Sequence, residues 1–441
     1  MGRARYCAWL AIALAGAVAS GWGLAGQVAA AGPQASGSSL ENVNPSGQTV
    51  AFWYHYTRER RESLTELIDQ FNATNPYGIT VQGEYIGSQK DIYARMKDAA
   101  RTGSLPQLVD AYHNQAREYL RAGAIVDLTP YMQSPAWGLP DSVRADYLDE
   151  LLAKDNFQGV QVAFRTHYSA ELLYYNKDWL HELGYHAPPK TWIEFAEMCR
   201  KAKAQPFSRS TDKSRSLGFM LEQDASRLAS MVFSRGGSFT NAEGTAYDLD
   251  TPQVRASLGM LRELLHEGVI DIFAEPYGDR RAFSNGQVLF AMRSSSGLLA
   301  FRTDIESGLD FDWDVATVPY EGPGPVNNIY GSSIAVCRST DQQQLAAWLF
   351  LKWFTEPLQQ TRWVQGSIYF PVRRSAIQGY EPYIRRAYTF LGSGVSEPSL
   401  PRYEEVRDLI AKAMVDVLHG QDTDRTLSRL QFEANKTLSR S

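Results

Sequence analysis

The sequence predicts an α/β protein made of two lobes of similar size. A chain of 441 residues is too long for one ordinary hydrophobic core. From Val50 onward, short apolar stretches alternate with amphipathic stretches, as expected for strand–helix–strand units. Two strand-like segments, Gly159–Phe164 and Asn327–Val336, are predicted to cross between the lobes. Crossings of this kind create a cleft, and ligands bind preferentially in clefts between lobes.

The first elements are defined by their periodicity and their ends. Val50–Tyr54 is apolar and predicts a strand. Thr57 can cap a helix whose apolar residues recur at helical spacing until Asn75-Pro76 ends it. The same alternation then predicts a strand at 79–85, a helix at 89–102, a strand at 108–112 and a helix at 115–121.

The rest of the chain repeats this rhythm. After Glu171 a buried strand runs into a short helix that ends at Gly184, and Pro188-Pro189 stiffens the connection to the next helix. Strands linked by helices of this length imply parallel strands joined by right-handed crossovers. The pattern predicts helices at 192–204 and 403–419 and further strands near Val160, Leu217, Val288, Trp313 and Ile334.

Residues 1–30 have the pattern of an export signal. Arg3 and Arg5 precede an uncharged run rich in Ala and Leu, and small residues allow cleavage before Ala31. The run is also close to the about 17–25 residues that span a bilayer, so an uncleaved membrane anchor is the alternative. Residues 31–48 are rich in Gly, Ser and Pro and predict a flexible tether. The protein is therefore expected to be exported, to the periplasm or another extracytoplasmic site.

Two cysteines, Cys199 and Cys337, remain once the signal is removed. They could form one disulfide or stay as two buried thiols, because sequence alone cannot place their Cα atoms within bonding distance.

Composition and motifs argue against several classes of function. The net charge of −5 is small for this length, whereas a nucleic-acid groove needs a concentrated basic face. His113 and His167 lack metal-ligand spacing to another His, Cys or Asp, so no metal site and no cofactor are predicted. The sequence also lacks the motifs of serine hydrolases, zinc proteases and nucleotide-binding loops. These observations favour a binding protein over an enzyme.

Several short motifs occur in the order typical of one protein family. The stretch Glu171–Trp192, which ends in Pro188-Pro189-Lys190-Thr191-Trp192, resembles the strand–helix–turn run of extracellular solute-binding proteins that feed ABC importers. The remaining motifs are spread over most of the chain, at Phe52-Trp53-Tyr54-His55, Phe71–Pro76, Arg101–Pro106, Phe283–Gly297 and from Gly331 to Arg373.

This resemblance implies a type II periplasmic-binding-protein fold, with two Rossmann-like lobes joined by a hinge and a ligand cleft between them. Lobe 1 is expected at 49–161 and 331–363, and lobe 2 at 162–330 and 364–441. Such a protein would capture a small polar solute by hinge closure and deliver it to the membrane permease subunits of an ABC importer.

Within this family the sequence looks most like the glycerol-3-phosphate-binding members. Five of their ligand positions keep the residue type here, while Gln89 replaces an aromatic residue and His113 replaces an acid. These two departures concern the glycerol end of the ligand more than its phosphate. The resemblance implies ligand contacts at Gln89, His113, Ser169, Ser295, Gly331, Tyr369 and Arg407.

Two of these positions are also singled out by physical chemistry. Arg407 lies beside the apolar stripe of its helix, and a buried guanidinium needs either a carboxylate of the protein or an anionic ligand. Its fork matches the oxygens of a phosphate. Ser294–Gly297 precedes an apolar helix, where backbone N–H groups and hydroxyls form either an anion site or a simple N-cap.

The expected ligand is therefore glycerol-3-phosphate or a glycerophosphodiester. An uncharged sugar or oligosaccharide is the alternative, and in that case Arg407 pairs with a carboxylate of the protein. A third interpretation, from another functional class, is an extracellular carbohydrate-active enzyme.

Overall fold

The computed structural model describes residues 39–147, 152–273, 277–377 and 380–439. The predicted signal at 1–30 and most of the predicted tether lie outside these ranges. The end of the tether, residues 39–48, is not free: Trp137 Nε1 donates to the carbonyl of Leu40 at 3.1 Å, and Val43 is buried. Within the described ranges, no helix is long and apolar enough to cross a membrane.

Short strands make up the sheets, and most of them lie near the predicted positions. In chain order they are β1 (Thr49–Tyr54), β2 (Thr80–Tyr85), β3 (Leu108–Ala111), β4 (Asn156–Phe157), β5 (Val160–Gln161), β6 (Phe164–Arg165), β7 (Ser169–Asn176), β8 (Leu217–Glu222), β9 (Ile270–Phe273), β10 (Val288–Ser294), β11 (Trp313–Ala316), β12 (Asn327–Tyr330), β13 (Ser333–Val336) and β14 (Gly394–Val395).

Helices cover the sheets, and the predictions at 89–102 and 192–204 are confirmed. Capping boxes, at Ser88 with Asp91 and at Thr191 with Glu194, fix the starts of these two helices. In chain order the helices are α1 (Glu59–Thr74), α2 (Gln89–Thr102), α3 (His113–Arg121), α4 (Thr129–Gln133), α5 (Asp141–Arg144), α6 (Lys177–Glu182), α7 (Trp192–Ala204), α8 (Ala225–Phe233), α9 (Pro252–His266), α10 (Gly278–Ser284), α11 (Leu298–Glu306), α12 (Asp341–Phe354), α13 (Pro357–Ser367), α14 (Pro382–Thr389), α15 (Tyr403–Leu418) and α16 (Thr423–Leu438).

Two sheets define the two lobes. The first has the order β2-β1-β3-β13-β6, and the second has the order β14-β12-β7-β10-β8-β9, with β11 also paired to β7. Each sheet has a parallel part, made of β1 with its neighbours or of β8 with its neighbours. The expectation of parallel strands throughout was wrong, because β7 and β13 run antiparallel to their neighbours. Each of these two strands comes directly after a crossing from the other lobe. Each therefore runs through its sheet in the direction opposite to the strands beside it.

The crossings bring three chain segments together between the lobes. One lies between β6 and β7, and another lies between β12 and β13, where Gly331 turns the chain. A third passes Phe370, which pairs with Tyr168 in an antiparallel bridge. The lobe boundaries given above remain a prediction, and the pairing of β6 with the first sheet favours a crossing just after Arg165 rather than at 161.

Both lobes have aromatic cores. Trp179, Trp192, Trp348 and Trp363 are fully buried between sheets and helices. Cys199 and Cys337 are buried free thiols that lie in different hydrophobic clusters. Of the two possibilities left open by the sequence, the structure therefore shows two thiols.

Candidate functional site

A cleft of about 420 Å³ lies between the two sheets. The first lobe contributes His55, which follows β1, and the residues Tyr112–Asn114, which follow β3 and begin α3. The second lobe contributes Asp224 and Ser226 at the start of α8 and Arg407 from α15. Strand ends and helix starts thus bring polar groups from both lobes to one opening, as is usual for binding sites of α/β proteins.

Arg407 lies in this cleft and is paired with carboxylates of the protein. Its Nη1 donates to Glu397 and to Ser226 Oγ, the latter at 3.1 Å. Its Nη2 donates to Asp224 Oδ2 at 3.2 Å. Burial alone would lower the pKa of Arg407, but Glu397 and Asp224 raise it. The guanidinium is therefore charged, and of the two partners expected from the sequence the protein supplies the carboxylate itself.

Glu397 is buried and is the shared hydrogen-bond acceptor of the residues around Arg407. Its carboxylate accepts hydrogen bonds from Ser226 Oγ at 2.6 Å, Tyr403 Oη at 2.6 Å and Asn328 Nδ2 at 2.9 Å. Burial opposes ionisation of Glu397, yet Arg407 and these donors lower its pKa. The carboxylate is therefore ionised, and every donor around it is held in place.

A second group of paired charges lies at the other side of the cleft. Arg227 Nη2 and Arg293 Nη1 both donate to Glu222 Oε2 at 2.6 Å. Arg293 Nε also donates to Asp279 at 2.6 Å, and Arg227 donates to the fully buried Glu171. Burial raises the pKa of Glu171 to about 8, although Arg227 opposes this shift. Glu222 therefore bridges the guanidinium groups of Arg227 and Arg293 at the cleft wall.

Positively and negatively charged side chains occur in equal number in the described lining of the cleft, histidines aside. Among the described residues of the lining, four guanidinium groups face four carboxylates, with Arg165, Arg227, Arg293 and Arg407 against Glu222, Asp224, Glu397 and Glu404. Side chains such as Asn114 and Ser226 add neutral donors and acceptors. Such a surface can bond hydroxyl groups, which both donate and accept, without imposing a net charge on the ligand.

His113 and Gln89, the predicted contacts of the first lobe, have different positions. His113 lines the cleft, and its Nε2 lies 3.2 Å from the carbonyl of Glu397 in the other lobe. Burial and the nearby Arg165 lower the pKa of His113 to about 4, so the ring is neutral. Gln89 is not part of the cleft lining. Its side-chain amide lies 3.0 Å from Nδ1 of His55, which lines the cleft and is also 2.6 Å from Asp110.

Ser169, Gly331 and Tyr369 all line the cleft. Gly331 has a φ of +143°, and a Cβ at this position would lie 2.7 Å from the carbonyl oxygen of His167. Only glycine therefore fits this crossing. Tyr369 stacks on His167 with ring centroids 4.1 Å apart. Burial lowers the pKa of His167 to about 3, so the ring is neutral, and His167 is not among the described residues that line the cleft.

Ser295 lies outside the described lining of the cleft. Its side chain is fully buried, and its Oγ accepts a hydrogen bond from the backbone N–H of Ala170 at 3.1 Å. The hydroxyl is directed at strand β7, whereas the neighbouring Ser294 and Ser296 line the cleft. Ser295 therefore fixes the turn after β10 against β7.

Sequence reasoning missed several residues of the lining. Glu397 lies on a loop with no periodic pattern, and Glu222 ends an ordinary strand. Asp224 carried one available signal, because an Asp immediately before an apolar helix is a typical N-cap. A cap prediction would have placed Asp224 at a helix start, but not beside Arg407.

The profile of a family described as bacterial extracellular solute-binding protein matches residues 66–385. The chain belongs to this family. The sn-glycerol-3-phosphate-binding periplasmic protein UgpB of Escherichia coli (strain K12) is 22% identical over 415 residues, which cover 89% of this chain and 92% of UgpB.

Solved structures of solute-binding proteins share the fold. UgpB from Mycobacterium tuberculosis, in complex with glycerophosphocholine, has a TM-score of 0.75 at 20% identity and covers 90% of this chain and 99% of its own. The sugar-binding protein MalE from Xanthomonas citri has a TM-score of 0.77 at 18% identity, covering 89% and 98%. The relatives thus include binders of phosphorylated glycerols and of sugars. This solute-binding protein accordingly belongs with those that bind small polar solutes and deliver them to the permeases of ABC importers.

Proposed function

We propose that this solute-binding protein captures glycerol-3-phosphate or a glycerophosphodiester in the cleft between its lobes. The observation that carries this proposal is that guanidinium groups and partly exposed carboxylates lie side by side in one small cleft. The side chains of Asp224 and Glu404 are 38% and 43% exposed, so they can accept bonds from ligand hydroxyls or attract a cationic head group. Arg227 and Arg293 can donate to phosphate oxygens, and Arg407 can donate to hydroxyl oxygens of the solute.

Each of these arginines keeps donors beyond its internal pairs. A guanidinium has five N–H groups. Arg407 uses its two terminal nitrogens for Glu397, Ser226 and Asp224, while its Nε lies 3.9 Å from Glu404, too far for a hydrogen bond. The ion pairs therefore position the Arg407 guanidinium but leave its Nε–H available to a ligand.

Ligand capture would proceed by closure of the lobes around the hinge segments. Direct contacts already join the lobes: His113 lies 3.2 Å from the Glu397 carbonyl, and Arg117 donates to the carbonyl of Ser399 at 3.1 Å. Glu118 accepts from the backbone N–H of Arg402 at 3.0 Å. A solute that contacts both lobes favours this arrangement, because only a difference in affinity between the open and closed states shifts their balance.

An uncharged sugar is the second candidate, and a specific observation favours it. Every arginine of the described cleft lining already has a carboxylate partner, so this part of the cleft does not require an anion. A sugar would use the same mixture of donors and acceptors through its hydroxyl groups.

Thermal unfolding with a small panel separates these candidates. A ligand at a hundred times its Kd adds about 2.7 kcal/mol to the free energy of unfolding. We expect glycerophosphocholine or glycerol-3-phosphate to raise Tm and maltose to leave it unchanged. A shift with maltose and none with either phosphorylated glycerol would establish the sugar. The same panel, checked for products after incubation, tests the enzyme interpretation, because turnover of any member contradicts a pure binding role.

A further inference from the structure

A second cavity of about 610 Å³ opens beside the cleft, and its lining is basic. The two cavities share Arg227, Arg293, Ser294 and Ser296, so they are adjoining parts of one opening between the lobes. This second part, here called the basic chamber, lies between the start of α1 and the helices α10 and α11. Among its described lining residues only two carboxylates, Glu59 and Asp304, face the guanidinium groups of Arg58, Arg60, Arg227, Arg280 and Arg293.

Arg227 and Arg293 keep their carboxylate partners where they line the chamber, but Arg58 and Arg60 add positive charge that no described carboxylate pairs with. Arg58 is exposed and makes no ion pair or side-chain hydrogen bond with any described residue. Arg60 has no carboxylate partner within the described ranges; it donates to the backbone carbonyls of Ser367 at 3.1 Å and Ser296 at 2.9 Å. Arg280 is paired with Asp304 at 2.7 Å. The chamber therefore keeps an excess of positive charge next to a cleft whose charges balance.

We propose that the basic chamber is a subsite for the anionic group of the solute, which is the phosphate in a phosphorylated glycerol. This inference rests on the proposed function and assigns an orientation to its ligand. A phosphate next to Arg407 would face the carboxylates of Asp224 and Glu404, which repel it. In the chamber it meets Arg58 and Arg60, which have no carboxylate partner within the described ranges, while the rest of the solute lies along the cleft toward Arg407.

Arg60 connects the chamber to both lobes. It belongs to α1 of the first lobe, and its bond to Ser296 reaches the turn after β10 of the second lobe. Its guanidinium also lies 4.6 Å from the ring of Tyr369, which lines the cleft. An anion beside Arg60 thus contacts residues of both lobes and favours their closure.

Paired substitutions test the subsite. The double variant Arg58→Gln with Arg280→Gln removes two chamber charges that are accessible to solvent. Arg61→Gln, on the helix α1 that begins just after Arg58, is a single-charge control outside the chamber. Arg61 lies outside the chamber lining, with its guanidinium 5.6 Å from the ring of Tyr85. In calorimetric titrations with glycerophosphocholine at constant ionic strength, we expect the double variant to bind about tenfold more weakly, equivalent to about 1.4 kcal/mol. The control should match the wild type.

The possible results separate this inference from the proposed function. If wild type and double variant bind glycerophosphocholine equally, the chamber is not the anion subsite, although the proposed function stands. If the wild type binds neither glycerophosphocholine nor glycerol-3-phosphate, the proposed ligand is wrong and inorganic phosphate becomes the probe. A rise of Tm with phosphate in the wild type but not in the double variant still supports an anion subsite. An equal response of both proteins, or none, overturns it.

Discussion

Arg407 and Glu397 form the ion pair around which the second-lobe wall of the cleft is organised. The side chain of Glu397 is 8% exposed, and the carboxylate accepts bonds from Arg407 and three further side chains. A carboxylate this deeply buried is costly to ionise without its partner. Arg407 therefore has a structural role in addition to any contact with a ligand.

Replacing Arg407 should destabilise the fold. In Arg407→Gln the Glu397 carboxylate loses its cationic partner, and we expect the free energy of unfolding to fall by about 3 kcal/mol, as for other broken buried pairs. Urea denaturation measures this loss. Lys412→Gln on the same helix is the control, because Lys412 is largely exposed and Asp416 keeps a second partner in Arg429, so the pair contributes under about 1 kcal/mol. Equal effects of the two substitutions would contradict the structural role of Arg407.

His167 should make stability depend on pH. The ring is buried and neutral, with a pKa lowered to about 3, whereas an unfolded histidine titrates near 6.5. The unfolded chain therefore binds the extra proton first, and this contribution to stability is complete above pH 6.5. It is lost as pH falls from 6.5 toward 3, by about 1.4 kcal/mol per pH unit.

Comparison with His167→Gln isolates this contribution. His113, with its pKa lowered to about 4, adds a slope of the same sign, while Glu171, with its pKa raised to about 8, adds an opposite slope between pH 4.5 and 8. Both remain in the variant, so they cancel in the difference. We expect the variant to lose less stability than the wild type between pH 6.5 and 4. Parallel unfolding curves across this range would show that His167 does not titrate as described.

At the scale of elements, the turn at Ser295–Gly297 joins β10 to α11 and is fixed to β7 by one hydrogen bond. Ser295→Ala leaves the N–H of Ala170 without its partner, and we expect the free energy of unfolding to fall by about 1–2 kcal/mol. The affinity for solute should not change, since the hydroxyl does not reach the cleft. Denaturation and calorimetry on the same variant measure both quantities. Unchanged stability together with weaker binding would restore Ser295 as a ligand contact.

The crossing between β12 and β13 depends on Gly331. In Gly331→Ala the new Cβ meets the carbonyl of His167 at 2.7 Å, and the residue must keep a φ of +143°. We expect a loss of about 2–3 kcal/mol in the free energy of unfolding. Gly324→Ala is the control, because nothing lies within 4 Å of its Cβ position. Chemical denaturation compares the two, and a Gly331 variant as stable as the control would contradict the strained crossing.

Most elements could be predicted because their signals are local. The helices α2 and α7 carry their own caps and apolar periodicity, so even their bounds follow from sequence. The direction of β7 and β13 could not be predicted, because the strands they pair with lie far away in the chain. β13, for example, pairs with β3, and residues 108 and 336 are register partners.

At the scale of the whole molecule, the cleft is assembled from segments far apart in sequence. Ser226 and Glu397, which share a hydrogen bond, are 171 positions apart, and Asp224 and Arg407 are 183 apart. No local pattern marks such pairs. Resemblance to a family implied ligand contacts at seven positions. His113, Ser169, Gly331, Tyr369 and Arg407 line the cleft, whereas Gln89 and Ser295 do not, and the contacts with a ligand stay a prediction. The resemblance could not show that two carboxylates of the protein, Asp224 and Glu397, pair with Arg407.

Calorimetric titration of the full chain with glycerophosphocholine and, separately, with maltose decides between a phosphorylated glycerol and a sugar as the solute. We expect saturable binding of one glycerophosphocholine per chain, because the opening between the lobes offers guanidinium groups for the phosphate and carboxylates for the other end. Maltose should give no binding heat. Saturable binding of maltose, with no heat from glycerophosphocholine, would contradict the assignment of a phosphorylated glycerol to this cleft.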